Sequence, residues 1–163
     1  MNPAAAEIVA RLGLLPLPRE GGFFRRTWQS TTQLPNGRAA SSSILFLLTP
    51  DDFSSWHRLR SDELWSFHDG DPIELVQLDA ANGSPRATIL GTNWSTGEVP
   101  QCSVPENVWQ AARLKPAGVQ RGWALVGCTV TPAWDEKEFE LGRREIMLRE
   151  FPGAADWIRA LTR

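Results

Sequence analysis

"SSWHRLRSDELWSFHDG", residues 54–70, carries both histidines of the chain, His57 and His68, with Asp62 and Glu63 between them and a glycine at its end. It reads as two short strands, "SSWHRLR" and "DELWSFH", on which successive side chains point to opposite faces. With His57 inward, Ser55 and Leu59 join it, while Trp56, Arg58 and Arg60 face out. With Glu63 inward, Trp65 and Phe67 follow. His68 lies five positions beyond Glu63 and so falls on the opposite face. An interior built this way holds a histidine and a carboxylate among apolar and aromatic side chains.

The same pattern extends in both directions. "GGFFRRTWQS" and "ASSSILFLLT" precede it, joined through "LPNGR", which supplies an Asn-Gly hairpin signal. "PIELVQLD", "ATILGT", "PQCSVP", "VWQAARL" and "GWALVGCTVTP" follow, separated by turn-formers such as "DG", "ANGSP", "STGE" and "KPAG". Some nine strands at regular spacing are the signature of an antiparallel sandwich or barrel. Residues 3–13 predict a short helix with Ile8, Val9 and Leu12 as its apolar stripe and Gly13 closing it. After Pro132 the period changes, and "WDEKEFELGRREIMLREF" and "GAADWIRALTR" predict helices. The expected organisation is one all-β domain over 1–163, with a barrel at roughly 20–132 and terminal helices at roughly 135–161.

Composition narrows the function. A chain of 163 residues can bury a core without disulfide staples. The formal net charge of −2 leaves no electrostatic footprint for nucleic acid. Only Lys115 and Lys137 are lysines; the other cations are arginines, which favour bidentate contact with carboxylate or phosphate. Cys102 and Cys128 lack a CxxC spacing and read as small buried strand residues. "MNPAAAEIVARLGLLPLP" lacks the charged start and apolar run of a signal peptide, and no apolar run is long enough to span a membrane. The expected location is the cytoplasm, with no membrane partner.

Six fragments, "REGGFFRRTW", "SSSILFLLTP", "SSWHRLRSDELW", "GDPIEL", "VPENVWQAA" and "LVGCTVTPAWD", resemble in order a family of small cupins of unassigned function, cupin 5. The resemblance runs from about residue 12 to 152. It implies a jelly-roll barrel, usually dimeric, related to the sugar-nucleotide epimerase branch of the cupins. Set against the general cupin pattern, His57 takes the first histidine position, Glu63 the glutamate and Gly70 the glycine. Leu59 stands at the second histidine position, and Gln110 stands at the third. One imidazole, one carboxylate and one neutral amide make a poor ligand set for a transition metal, which asks for three or four strong donors. The expectation is therefore no metal and no cofactor.

What remains is a mostly apolar pocket with a few convergent polar groups, the usual form of a small-molecule site. His57 and Glu63 are the candidate catalytic pair. Arg25, Glu20, Trp65 and Gln110 are the candidate ligand contacts, Glu20 standing near the barrel mouth and Arg25 supplying the cation. A competing reading makes His57 a hydrogen-bonded core residue with Glu63 as its partner. The related epimerases use a tyrosine acid, and this chain contains no tyrosine, so that mechanism is excluded. Proton transfer with His57 as base and another group as acid is compatible with the residues present. The leading expectation is a protein that binds a small polar ligand, a sugar or a carboxylate, inside the barrel; if it is catalytic, the reaction is isomerisation or epimerisation without a metal, with His57 as base. The second is a non-catalytic binding or sensing protein, and the third a weak metal enzyme using His57, Glu63 and Gln110. An outward Trp56 and the cupin habit of pairing through a sheet face predict a homodimer.

Overall fold

The computed structural model describes residues 1–79 and 83–163, so the turn expected at "ANGSP" begins outside the described residues. Each run expected to be a strand is one: β2 (Phe23–Gln29), β3 (Ser42–Leu48), β4 (Ser54–Arg58), β5 (Asp62–Gly70), β6 (Ile73–Leu78), β7 (Pro85–Leu90), β8 (Gln101–Val104), β9 (Trp109–Leu114) and β10 (Ala124–Thr131). Two-residue strands stand at either end, β1 (Leu15–Pro16) and β11 (Glu140–Leu141). They form two antiparallel sheets, in the orders β1-β2-β3-β10-β5-β8 and β11-β4-β9-β6-β7. The sheets face one another as a jelly roll, with no continuous ladder closing the barrel among the described residues.

Three apolar layers follow from the alternation of side chains. Between the sheets lie Phe46, Leu48, Trp65, Leu75, Ala112 and Val126. On β6, Ile73 and Leu75 enter that interior while Val76 and Leu78 point the other way, so the strand is apolar on both faces. The outward set of the five-stranded sheet, with Trp56 and Trp109, is covered by α2 (Arg144–Glu150) and α3 (Ala155–Ala160) through Met147, Phe151 and Ile158. At one end of the other sheet, Leu47 and Trp123 are covered by α1 (Pro3–Leu12) through Ala5. Asn2 caps α1 by accepting from the Ala5 N–H at 2.8 Å, and Gly13 ends it at φ 60°, a left-handed turn that glycine adopts without strain.

Two expectations are corrected. Trp56 does point away from the interior, but it is 0% exposed, because the chain's own C-terminal helices cover it. Its indole N–H donates to the Trp157 carbonyl at 3.1 Å. Burying such a side chain contributes on the order of 2 kcal/mol, which the terminal helices supply without a second subunit. The second correction concerns the region after Pro132. Residues 134–143 are not helical: a short 3-10 turn at Glu136–Glu138 leads into β11, whose Leu141 pairs with His57. Gly142 then passes so close to Trp56 that an added Cβ would lie 2.9 Å from the Trp56 Cβ, and helix begins only at Arg144. Tertiary contact outweighs the helix propensity of "EKEFELGRREIMLRE".

Candidate functional site

One end of the interior is organised by the turn at residues 17–22. The Leu17 N–H donates to the Gly22 carbonyl at 2.9 Å, and the Gly21 N–H to the Leu17 carbonyl at 3.1 Å. Gly22 has φ 74° and lies where an added Cβ would be 2.5 Å from the Phe46 ring, so glycine is required both for conformation and for close approach. The carbonyl of Glu20 accepts from the Ser55 N–H at 2.9 Å, which ties the turn to β4 and turns the Glu20 carboxylate inward. There its Oε1 accepts from the Ser54 hydroxyl at 2.7 Å and lies 3.9 Å from Nδ1 of His57.

A bulge in β4 sets the histidine. Ser54 pairs with Ala112 and His57 with Gln110, so one extra residue intervenes on β4. Ser54 and His57 therefore share the interior, and Ser55, expected there, instead accepts from Arg163 Nε at 3.1 Å. The His57 ring is 2% exposed and stacks on Phe139 at 5.4 Å between centroids. Its Nδ1 lies 2.8 Å from the Ser55 carbonyl, an acceptor only, so in the neutral ring Nδ1 carries the proton and Nε2 the lone pair. Among the described residues no fully buried side-chain nitrogen or oxygen lacks a partner. Nε2 has no partner among the described residues, so it opens onto the cavity that His57 lines.

Gln110 works behind the glutamate. The indole N–H of Trp65 donates to Gln110 Oε1 at 2.9 Å, and because an indole only donates, this fixes the amide orientation. The Gln110 NH2 therefore faces Glu63 and donates to its Oε2 at 2.6 Å. Burial raises the Glu63 carboxyl above its ordinary range; Glu20 adds to that, while His57, Gln110 and Cys128 oppose it. Burial, reinforced by Glu63 and Glu20, holds the Cys128 thiol well above the usual value, so it stays protonated and is no nucleophile.

These groups meet a cavity of about 210 Å³. Its floor has His57, Glu63 and Trp65, its walls are apolar residues such as Phe24, Ile44 and Leu59, and its mouth has Arg19, Arg26, Trp134 and Glu136. The loop after Pro132 forms one side of the mouth and is held by Arg38. That guanidinium donates to the Ala133 carbonyl, to Ser61 at 3.0 Å and to Glu138 at 2.6 Å.

Of the expected site residues, His57, Glu63, Glu20 and Trp65 line this cavity, and Gln110 supports it from behind. Arg25 does not reach it. Arg25 lies on the outer face beside Gly13 at the end of α1, and Arg26 is the β2 arginine at the cavity, next but one to the inward Phe24. His68 is exposed on the outer face, over Gly127. Arg19, Phe139, Trp134 and Ser54 were not anticipated. Phe139 was hidden by the helical reading of its segment. No local signal separates Arg26 from Arg25, because Phe23 and Phe24 put an apolar residue two positions before each.

A family model described as Cupin superfamily (DUF985) matches residues 6–142. The chain belongs to the cupin superfamily. This cupin is similar along nearly its whole length to two solved structures. One is a protein of Shewanella oneidensis, 33% identical, covering 98% of this chain and 97% of that one at a TM-score of 0.90. The other is a hypothetical protein from Leishmania major, 29% identical, covering 97% and 98% at a TM-score of 0.90. Oxalate decarboxylase from Bacillus subtilis shares the fold at 13% identity and a TM-score of 0.56, covering 91% of this chain and 37% of that one. No curated protein matches the sequence.

At the two positions where the resemblance to the general cupin pattern implies metal-binding histidines, this chain has Leu59 and Gln110. Leu59 has no donor, and the oxygen of Gln110 is engaged by the Trp65 indole while its nitrogen faces Glu63. Among the described residues no three His, Cys, Asp or Glu side chains are grouped to hold an ion. The donor set of this cupin does not fit a transition metal.

Proposed function

We propose that this cupin binds a small organic molecule in the cavity above His57 and isomerises or epimerises it by proton transfer without a metal. The observation that carries this reading is the Nε2 of His57, which holds a lone pair, lacks a partner among the described residues and opens onto an apolar cavity. The Ser55 carbonyl fixes the tautomer, and Glu20 Oε1 lies 3.9 Å from Nδ1 of the same ring. Glu63, whose carboxyl burial biases toward the protonated form, supplies the acid that the missing tyrosine would have been. The base removes a proton from a hydroxyl-bearing carbon acidified by a neighbouring carbonyl while Glu63 protonates the carbonyl oxygen, giving an enediol. The His57 imidazolium then protonates the former carbonyl carbon as the Glu63 carboxylate takes the proton of the other hydroxyl, which leaves the isomer and restores both groups.

Deuterium exchange tests this. The protein is incubated in D2O with a panel comprising 4-methyl-2-oxovalerate, lactate, glucose and xylose, and proton NMR follows loss of carbon-bound hydrogen. Exchange of at least one compound by the wild type, absent in His57→Ala and Glu63→Gln, is expected. Binding without exchange would replace this reading by a non-catalytic binding or sensing role.

The same reading makes the protein a cytoplasmic homodimer. Both cysteines are free, as suits a reducing compartment. No helix among the described residues is long and apolar enough to cross a membrane. Support for pairing comes from Trp28 and Leu64, which remain exposed on one row of the outer face of the six-stranded sheet, through the pairings Trp28–Ser43, Ser43–Thr129 and Thr129–Leu64. Sedimentation as a monomer at micromolar concentration would remove the dimer.

A further inference from the structure

The cavity is polarised from floor to mouth. Beside Glu63, the floor presents two acceptors: the Nε2 lone pair of His57, and the Glu20 carboxylate, whose Oε1 already accepts from Ser54. Both groups are withdrawn from solvent, the Glu20 side chain being 12% exposed. The mouth presents Arg19 and Arg26, both exposed and neither in an ion pair among the described residues. Arg26 donates to Gln29 at 3.2 Å, and Arg19 lies 5.2 Å above the Phe139 ring, so the two guanidinium groups keep unused donors at the entrance. Arg19 holds φ 71°, a left-handed conformation that a non-glycine residue adopts at a cost, and here it directs the side chain to the mouth. Glu136 also stands at the mouth, on an exposed turn where solvent screens its charge. Between floor and mouth the walls are aromatic and aliphatic.

We infer that the ligand is an organic carboxylate with an apolar body and a hydroxyl or amine at its far end. The carboxylate sits on Arg19 and Arg26, the body fills the apolar middle, and the far-end donor meets His57 and Glu20. This rests on the reading of the cavity as a ligand site, not on the proton transfer proposed for it, and decides between the sugar and the carboxylate expected from the sequence, selecting the carboxylate. A sugar would leave most of its hydroxyls unpaired against Phe24, Ile44 and Leu59, each at a desolvation cost. Size agrees with this form. A cavity of about 150 Å³ accepts one benzene, so 210 Å³ accommodates a body of roughly eight non-hydrogen atoms, with the carboxylate outside it.

Calorimetric titration with 4-hydroxyphenylacetate, phenylacetate, 4-hydroxyphenylacetamide and glucose tests the assignment. The wild type should bind 4-hydroxyphenylacetate about tenfold or more tightly than either the amide or the compound lacking the hydroxyl. Arg19→Gln/Arg26→Gln should weaken the hydroxylated acid by about tenfold and leave the amide within about twofold. His57→Ala should remove the advantage of the hydroxyl, and added salt should weaken the acid but not the amide. Circular dichroism checks that each variant folds. Equal binding of acid and amide, or an affinity for the acid untouched by the arginine substitutions, would overturn the carboxylate assignment. In that case a His57-dependent affinity for the amide or for glucose would leave the ligand site standing. Failure of all four compounds to bind the wild type would overturn both.

Discussion

Replacing Gln110 by leucine removes the link between the core and the candidate acid while nearly conserving shape. Gln110 is 1% exposed and makes two hydrogen bonds, accepting from the Trp65 indole and donating to Glu63. Gln110→Leu leaves a buried indole N–H without an acceptor, a loss of about 1–3 kcal/mol. It also deprives Glu63 of a bond worth about 1.5–3 kcal/mol when the carboxylate is charged. The apolar leucine offsets roughly 1 kcal/mol of this, so the net destabilisation should be about 2–5 kcal/mol. Urea unfolding at neutral pH measures it, read as a fall in midpoint at unchanged slope. Trp65→Phe alone and combined with Gln110→Leu completes a double-mutant cycle, and the two residues should couple by about 1 kcal/mol or more. A loss below about 1 kcal/mol in Gln110→Leu, or additive single effects, would refute the placement of the amide between indole and carboxylate.

The titration of Glu63 gives a second expectation. Because burial raises its carboxyl above 4.5, the stability it contributes is complete below that value and is lost as pH rises through the folded-state pKa. Glu63→Gln loses none, so its unfolding midpoint relative to wild type should climb as pH rises above 4.5; a gap that narrows would contradict the shift. Gly142→Ala should destabilise by about 1–3 kcal/mol, because a Cβ there meets Trp56 and the Met147 sulfur; thermal unfolding unchanged from wild type would contradict that packing. His68→Ala should change stability by less than about 0.5 kcal/mol and leave 4-hydroxyphenylacetate binding intact, since the ring is exposed on the outer face; a lost calorimetric signal would place His68 in the site.

The nine long strands were legible because the interior enforces their alternation, and on β4, β6 and β9 the C-terminal helices enforce it again from outside. The family motif carried His57 and Glu63 to the interior of the barrel. Parity failed where the ladder is irregular. The bulge in β4 exchanges Ser55 for Ser54 on the inward face, where Ser54 donates to Glu20. On β2 the choice between Arg25 and Arg26 depends on which face Phe24 occupies, and two consecutive phenylalanines leave that undetermined in the sequence. The segment 134–143 consists largely of helix-formers, and nothing local announces that Phe139 will stack on His57 or that Leu141 will pair with it. Arg19 reaches the mouth through a backbone angle that its own identity disfavours. The long-range contacts that complete the site are the part no local pattern encodes.

The account depends on Nε2 of His57 being a free base in the cavity. A chain with two histidines permits a direct measurement by long-range proton–nitrogen NMR of the imidazoles, with His68→Ala assigning the signals. At a pH where the ring is neutral, His57 should show Nδ1 protonated and Nε2 bare, and addition of 4-hydroxyphenylacetate should move the Nε2 resonance. A neutral His57 ring protonated at Nε2, or a bare Nε2 that no compound in the titration panel perturbs, would contradict it.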